Sequence, residues 1–425
     1  MASFSIPLTG LNADSKALNT IANNLSNMNT TAFKSQTTNF SDLFYQQIGS
    51  TGSGDPIQVG AGVQVAANRT NFAQGSFNST GNATDVALNG NGFFVVGNDS
   101  GSYEYTRAGN FSLTSTGSLV TTNGLDVMGY PAVNGVVNTN APLTAINIPV
   151  GQVQQPQATT SLNMTMNLDA TATAGTTFPA PITVHDSLGV SHIATVTYTQ
   201  TGANTWSYSA ALPASEFASG ISTPVTGTMN FDANGNLASI TSGGVTTPVG
   251  TAAGDASSIP LSFAGLADGA ADLNMSWDLL GPSGTPTIGQ VAASSAVSAT
   301  TQDGYEPGQY QSFSISPDGT VTAAYSNGQK QNVGQLALAN VTNVQGLQML
   351  GDGDYATTRA SGTASIGTSG SAGLGTLQNG ALEQSNVNIS AEFSNLIIAQ
   401  RAFEANSKAV TTFDTVTQET INMIH

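Results

Sequence analysis

Residues 10–35 read GLNADSKALNTIANNLSNMNTTAFKS, and this stretch decides the fold of the amino-terminal end. Its apolar side chains recur every seven residues in two adjacent rows: Leu11, Leu18 and Leu25, then Ile21 and Met28. A seven-residue repeat places such side chains on one stripe of an α-helix. The pattern therefore predicts one amphipathic helix of about 20 residues.

The carboxyl-terminal end has a matching pattern. A seven-residue row there contains Leu396, Phe403, Val410 and Ile424, with Ala399 and Phe413 beside it. Asn388 or Ser390 can cap the start of a helix, and Glu392 suits its first turn. We predict a helix of about 35 residues, or about 50 Å.

Neither helix can cover its apolar stripe by itself. The simplest solution is a coiled coil with the other terminus or with neighbouring chains, and the alternative is that both helices pack on a β core. We predict that self-assembly depends on nine residues of the two stripes: Leu11, Leu18, Ile21, Leu25, Met28, Leu396, Phe403, Val410 and Phe413.

Between the helices, apolar residues alternate with polar ones, as in β-strands. DVALNGNGFFVV reads as a hairpin around Asn-Gly, and YEYTRAGNFSLTSTGSLVTTNGLDVMGY reads as three or four short strands. The same pattern returns in YQSFSISPDGTVTAAYSNGQKQNVGQ, with turns at 317–319 and 327–328. One β domain built from both halves of the chain is expected.

The segment 151–288 differs in composition from both sides. It has no Lys or Arg, eight acidic residues and both tryptophans, and it contains hairpin patterns such as HIATVTYTQTGANTWSYSAAL and TMNFDANGNLASI. Such a shift predicts a separate acidic β domain inserted into the first.

The predicted fold class is mainly β with α-helical termini, in which an outer β domain is inserted into an inner one and the termini form a helical coiled-coil core. The predicted boundaries are 1–30 with 380–425 for the helical core, 31–70 with 362–379 for connecting linkers, 71–150 with 289–361 for the middle β domain, and 151–288 for the outer domain.

Composition excludes several classes of function. The net charge is −17, with only eight Lys and Arg, so nucleic acid and anionic membrane surfaces are not expected partners. The absence of Cys excludes disulfides and Cys-ligated metals. Neither a signal peptide nor a membrane span is evident, so we expect export by a route without a cleaved signal.

Few residues suggest catalysis. His185, Asp186 and Ser187 are adjacent, but neighbours on a strand point to opposite faces, so a turn opened by Asp186 and Gly189 is expected instead of a Ser-His-Asp site. His185 and His192 could pair as metal ligands, yet no third ligand has suitable spacing, so a surface histidine pair is expected. FDANGNL, GDGDYA and GNGFFVVG resemble ion or phosphate loops only weakly. We predict no catalytic site, cofactor or metal.

The two ends resemble the terminal signatures of flagellar rod and hook proteins. Six residues of 10–35 match the first signature: Asn23, Asn24, Leu25, Asn27, Phe33 and Lys34. NGALEQSNVNISAEFSNLIIAQRAFEANSKAV, at 379–410, is similar to the second. Two central stretches, DVALNGNGFFVV with YTRAGNFSL and DGYEPGQYQSFSISPDGTVTAAYSNGQKQNVGQLALANV, narrow the resemblance to hook proteins.

Two positions depart from the family pattern. Ala32 stands where the family usually has Gly, which argues against a left-handed backbone there. His425 replaces the usual terminal basic residue, so the contacts of the last turn are expected to differ.

The resemblance implies a non-enzymatic subunit that polymerises with copies of itself into the hook, the flexible joint outside the cell. Its implied partners are the rod, the hook cap, the hook-filament junction proteins and the flagellar type III export apparatus, with no nucleic acid and no membrane insertion. The alternatives are a distal rod protein, and a secreted adhesin or carbohydrate-binding β protein.

Overall fold

The computed structural model describes residues 5–97 and 101–424. The contacts divide the chain into two compact units. The first unit comprises Met1–Val150, Ser312–Ala324 and Lys330–His425, and the second comprises Gly151–Gln311 and Tyr325–Gln329. None of the described helices combines the length and apolar character needed to span a bilayer.

The first unit contains both long helices, α1 (Ser5–Ser26) and α2 (Ile389–Ile424). The side chain of Asn388 accepts a hydrogen bond from the N–H of Ala391 at 3.1 Å, so Asn388 is the N-cap that the sequence indicates. Glu392 lies in the first turn of α2, where its charge opposes the helix dipole favourably. The helical termini are thus confirmed, while the last residue, His425, lies outside the described residues.

The segment 31–70, predicted as a linker, forms two antiparallel strand pairs. β1 (Gln36–Asp42) pairs with β4 (Val63–Thr70), and β2 (Gln46–Ser50) pairs with β3 (Pro56–Val59). These segments are rich in Gly, Ser, Asn and Gln, which are uncommon in strands, so the sequence pattern did not predict them as strands. We call residues 36–70 the ribbon.

The β body of the first unit is built from short strands contributed by both halves of the chain. The earlier half contributes β5 (Phe77–Ser79), β6 (Val86–Asn89), β7 (Phe93–Gly97), β8 (Tyr103–Thr106), β9 (Ser112–Leu113), β10 (Leu119–Val120), β11 (Asp126–Val133), β12 (Val136–Val137) and β13 (Thr144–Ala145). The second unit follows, with β14 (Val153–Gln154), β15 (Ser161–Asp169), β16 (Thr177–His185), β17 (Ser191–Gly202), β18 (Thr205–Ala211), the 3-10 helix η1 (Ala214–Glu216), β19 (Val225–Phe231), β20 (Leu237–Ser242), β21 (Val245–Pro248), β22 (Ser258–Phe263), β23 (Leu273–Asp278), β24 (Ile288–Val291) and β25 (Ala296–Gln302). The remaining strands are β26 (Gly308–Ile315), β27 (Thr320–Tyr325), β28 (Lys330–Leu336), β29 (Leu338–Asn340), β30 (Gln348–Gly351), β31 (Asp354–Ala356), β32 (Ser365–Gly367), β33 (Thr376–Asn379) and β34 (Ala381–Glu383), with η2 (Val344–Gly346) before β30.

Strands from the two halves pair directly. The main sheet has the order β27-β28-β11-β7-β8-β31-β30, so strands from the later half flank β11, β7 and β8. Two further pairs, β33 with β6 and β34 with β5, join the segment before α2 to the earlier half. Phe93 of β7 and Tyr355 of β31 pack with Phe72 at ring-centroid distances of 5.6–5.9 Å.

Most predicted turns are present, and one is wrong. Gly319 and Gly328 close the turns that flank β27, and β8 to β11 are the four strands expected from their stretch. DVALNGNGFFVV is not a hairpin: within the described residues β6 pairs with β33, whereas β7 pairs with β8, β11 and β29. Gly90 and Gly92, at φ 107° and 119°, turn the chain out of the plane of one sheet into another.

The second unit is a β-sandwich. Its six-stranded antiparallel sheet runs β16-β17-β18-β19-β20-β21, and its other sheet groups β22, β23, β24 and β25 around β15. Trp277 packs edge-on between the sheets against Tyr198 and Tyr208, at 6.2 and 5.6 Å. Both Trp206 and Trp277 are fully buried in this core.

The predicted end of the inserted domain, Ile288, falls at the first residue of β24. A fragment ending there would lose β25, which pairs with β15 over six positions. The boundaries stay a prediction, and we place the autonomous fragment at 151–311.

We expect this fragment, expressed alone, to unfold in one cooperative thermal transition, because its apolar core lies within it. Tryptophan fluorescence is the suitable measurement, since both tryptophans are buried in the sandwich. The matched fragment 151–288 should unfold with a broader transition at lower temperature. A gradual, non-cooperative melt of the longer fragment would show that the insert depends on the rest of the chain.

Ala32 adopts the left-handed conformation that its side chain disfavours. Its φ is 56°, it is buried, and its N–H donates to the carbonyl of Glu383 at 2.8 Å. The expectation from the sequence was wrong here, because this hydrogen bond and the surrounding contacts outweigh the local preference of alanine, a cost of about 1–2 kcal/mol.

Candidate assembly site

The two long helices lie side by side and antiparallel. The amide of Asn24 donates to Glu392 at 3.0 Å near one end of the contact, and Asn406 donates to Asp14 at 2.8 Å further along. Gly10 has no side chain where α2 passes, and a Cβ there would lie 2.7 Å from the amide nitrogen of Asn406. The coiled coil expected between the two termini therefore forms within one chain.

Small and polar residues make the buried part of this contact. The buried residues of the described helices are Pro7, Ala13, Thr20, Asn24 and Ala399. Asn24 also exchanges two hydrogen bonds with the backbone of Gln36, at 2.8 and 2.9 Å, which fixes α1 on the ribbon. Large apolar side chains are thus left at the margins of the helix pair.

Eight of the nine predicted assembly residues lie on the two helices, and Met28 lies in the turn that follows α1. Seven are half-buried, namely Leu11, Leu18, Ile21, Leu25, Leu396, Phe403 and Val410, whereas Met28 and Phe413 are exposed. Leu11 and Phe403 line the same surface depression, so the structure brings the two stripes together there. No member of the set is fully covered by its own chain.

A second apolar surface lies on α2, outside the seven-residue row predicted from the sequence. Phe393, Ile397 and Ile398 are more than half exposed, and Ile398 reaches 67%. Phe393 and Ile397 are four residues apart, so they share a helix face, a spacing that the sequence already contains. We call these three residues the outer α2 patch.

The described side chains in the last part of α2 are all exposed. Every described side chain from 411 to 423 is exposed, including Val416, Ile421 and Met423. Isolated helices gain little stability from propensity alone, so this stretch needs a packing partner to be stable.

The ribbon adds exposed aromatic and aliphatic side chains. Phe44 is 91% exposed, and Tyr45, Ile48 and Ile57 are also exposed. Exposed apolar surface of this extent marks protein contacts in soluble proteins. The ribbon is therefore a candidate contact surface together with the helices.

A buried charged cluster ties both termini to the β body. Nζ of Lys34 lies 2.6 Å from Oε1 of Glu383, and NH1 of Arg107 lies 3.3 Å from Oε2 of the same carboxylate. The Lys34 and Glu383 side chains are fully buried. We call Lys34, Arg107 and Glu383 the anchor cluster.

Backbone groups complete the anchor cluster. Lys34 donates to the carbonyl of Ala73 at 3.0 Å, and the N–H of Gly75 donates to Glu383 at 2.8 Å. Arg107 donates to the carbonyls of Leu88 and Gly90 at 3.3 and 2.6 Å. These bonds compensate part of the cost of burying three charges.

Burial dominates the electrostatics of this cluster. It lowers the pKa of Lys34 and of Arg107 below their ordinary values, and the Glu383 carboxylate partly opposes both shifts. Burial also raises the pKa of neighbouring Tyr355 to about 12. Glu383 thus keeps two cations charged in an interior that disfavours them.

The side chains of the adjacent His185, Asp186 and Ser187 contact different partners. The hydroxyl of Ser187 accepts from the N–H of Ala271 at 3.0 Å, and the N–H of Gly189 closes the expected turn on Asp186. The expected surface histidine pair is wrong, because His192 is only 2% exposed and contacts Asp186.

Four family models match the chain. They are the flagella basal body rod protein at 6–34, the flagellar hook protein FlgE/F/G D1 domain at 87–167, the flagellar basal body protein FlaE D2 domain at 156–305, and the flagellar basal body rod FlgEFG protein C-terminal at 378–423. These matches cover both helices and strands of both units.

Curated relatives match along nearly the whole chain. The flagellar hook protein FlgE of Escherichia coli is 35% identical over 434 residues, with 99% of each chain covered. That of Treponema pallidum is 34% identical over 459 residues, with 98% of each covered. A solved structure of Helicobacter pylori FlgE2 covers 72% of this chain and all of its own, with a TM-score of 0.55 and 15% identity, and shows a shared fold.

Proposed function

The chain belongs to the flagellar hook protein family and is a structural subunit of the bacterial flagellar hook, and from this premise we propose that α1, α2 and the ribbon form its subunit contacts. The supporting observation is the large apolar surface that these elements leave uncovered, above all the outer α2 patch. Each such side chain, once buried, contributes about 1.5–3 kcal/mol.

The uncovered surface has a size that suits repeated contacts in a helical polymer. The described part of α2 spans about 54 Å, and the side chains from 411 to 423 are exposed. A neighbouring copy offers the same stripes, so each subunit can cover part of the next. The nine residues of the two stripes stay a prediction as contact residues.

The anchor cluster supports a mechanical role. It joins the segment after α1 and the segment before α2 to one β body through a buried carboxylate. A force on the helices is thereby passed to the β body through paired strands and charged hydrogen bonds. We propose that this connection transmits torque within each subunit.

We further propose an extracellular position in the flagellum, between the rod and the hook-filament junction proteins. Assembly beneath the hook cap and passage through the flagellar type III export apparatus complete the proposal. Its role is structural, and we propose no catalytic activity.

Mild proteolysis of the monomer should remove the helices and leave the β body. The sequence alone predicts an ordered core between about Asn71 and about Gly362. We propose that the protected core extends to Glu383, because β33 and β34 pair with β6 and β5. We expect cleavage first within 411–423, where every described side chain is exposed.

Mass spectrometry of the protease-resistant fragment measures this boundary. A fragment ending near Gly362 would contradict the role given to β33 and β34. Resistance of both helices in the monomer would contradict the proposal that they are stabilised by neighbouring subunits.

Salting-out followed by electron microscopy tests assembly itself. The intact protein should form tubes, and the protease-trimmed core should not, because it lacks both α1 and α2. Tubes formed by the trimmed core would refute the proposed contacts while leaving family membership untouched.

A further inference from the structure

Four ionisable side chains meet at one end of the sandwich of the second unit. His192 lies in β17, Asp186 in the turn before it, Glu216 in η1, and Asp268 in the loop between β22 and β23. His192 is 2% exposed, and the Asp186 side chain is fully buried. This cluster lies outside the assembly surfaces described above.

The imidazole of His192 is held on both nitrogens. Its Nε2 lies 3.1 Å from Oδ2 of Asp186 and 3.5 Å from Oδ2 of Asp268, while Nδ1 lies 2.9 Å from Oε2 of Glu216. One nitrogen therefore faces two carboxylates, and the other is fixed by a third.

The charge of the cluster is unbalanced. The second unit contains no Lys or Arg. Three carboxylates thus surround one imidazole, and the cluster keeps a negative charge even when His192 carries two protons. A buried carboxylate such as Asp186 calls for a cation, and a divalent ion supplies more positive charge than one proton.

We propose that Asp186, His192 and Asp268 bind a Zn²⁺ ion, with water as the fourth ligand. In this arrangement Nε2 loses its proton and coordinates the ion, while Nδ1–H donates to Glu216. A carboxylate that accepts from the second nitrogen of a zinc-bound histidine is a recurring feature of zinc sites.

The geometry fits tetrahedral zinc. Ligand distances of about 2.0–2.2 Å place neighbouring ligand atoms about 3.3–3.5 Å apart in a tetrahedron. The two separations from Nε2, 3.1 and 3.5 Å, bracket this range closely. The separation between the two carboxylate oxygens is at most 4.8 Å.

The ligand set favours zinc over calcium or magnesium. An imidazole nitrogen suits zinc, whereas calcium takes six to eight oxygen ligands and magnesium prefers carboxylates and water. Asp268 is partly exposed, so the ion can enter from solvent. Bound zinc would link the β16–β17 turn to the loop after β22 and stabilise the second unit.

Titration of the metal-free full chain with zinc chloride near neutral pH tests the site. Calorimetry should show one ion per chain with a Kd below about 10 µM. Saturating zinc should raise the midpoint of thermal unfolding, followed by tryptophan fluorescence, by about 5 °C. Calcium chloride and magnesium chloride should produce neither effect.

Asp268→Asn is the decisive variant, because it removes a ligand charge while an oxygen remains to accept from the N–H of Ala270. It should weaken zinc binding at least about tenfold, and Glu216→Gln should weaken it by about the same factor through the imidazole. Asp272→Asn, in the same loop, and His185→Gln should bind zinc like the unaltered chain. His192→Gln should abolish binding.

The proposal is overturned by three results. The first is the absence of saturable zinc binding by the unaltered chain. The second is equal affinity of the Asp268→Asn and Asp272→Asn variants. The third is loss of binding in His185→Gln with binding retained in His192→Gln, which would place the ion elsewhere. Zinc binding is measured independently of tube formation, so failure of the zinc proposal would leave the proposed hook assembly untouched.

Discussion

Replacing Leu18 or Phe403 by aspartate is expected to abolish tube formation while leaving the folded β body intact. Both side chains lie half-buried at the margin of the helix pair, where a neighbouring subunit can complete their burial. A carboxylate in such a contact loses its hydration without gaining a partner, which costs several kcal/mol. The cost recurs in every subunit of a polymer, so assembly should fail altogether.

Electron microscopy after salting-out measures tube formation, and thermal unfolding measures the fold. Val245→Asp is the matched control, since Val245 is 66% exposed on β21 of the second unit and belongs to neither helix. This control should still form tubes. Tubes of normal abundance from both helix variants would refute the role of the stripes. Unfolded variants would be recognised by a lowered melting temperature.

Replacing Glu383 by alanine is expected to destabilise the first unit by about 3–5 kcal/mol. The change leaves Lys34 and Arg107 in a buried site without their shared anion, and it removes the acceptor of the Gly75 N–H. The unfolding midpoint should fall by an amount on the order of 10 °C.

Glu404→Ala is the matched control for the loss of a glutamate. Glu404 pairs with Arg401 at 3.1 Å, but both side chains are exposed, so the expected cost is below about 1 kcal/mol. Circular dichroism follows the whole chain, whereas tryptophan fluorescence reports the second unit, where both tryptophans lie. Glu383→Ala should lower the unfolding midpoint measured by circular dichroism more than the midpoint measured by tryptophan fluorescence. Equal, small effects of the two variants would show that the buried cluster contributes little.

The helices and many strands could be predicted because their sequence patterns lie within the segment that folds. The seven-residue rows locate α1 and α2, and Asn388 marks the start of α2. Gly-containing turns locate strands such as β17 and β18, because a side chain alternates between faces with a period of two. The ribbon was missed because β1 and β2 are mostly polar and the Gly- and Ser-rich stretch around residue 50 is typical of a linker.

His192 shows what the alternation of a strand predicts and what it does not. It shares the inward phase of β17 with Ala194 and Val196, so its burial could have been predicted from the strand pattern. The contact between Asp268 and His192 could not have been predicted, because Asp268 lies in the loop between β22 and β23, strands of the other sheet. No spacing rule connects residues that distant in the chain.

The sequence by itself determined the helical ends, the strand-rich middle, the basic-free insert and the family. Tertiary structure alone decided which helix faces stay uncovered, which carboxylate pairs with Lys34 and Arg107, and which carboxylates meet His192. Residue periodicity specifies the orientation of a side chain relative to its own helix or strand. The neighbours it meets depend on the path of the whole chain, which brings Lys34 and Glu383 within 2.6 Å from opposite ends of the sequence.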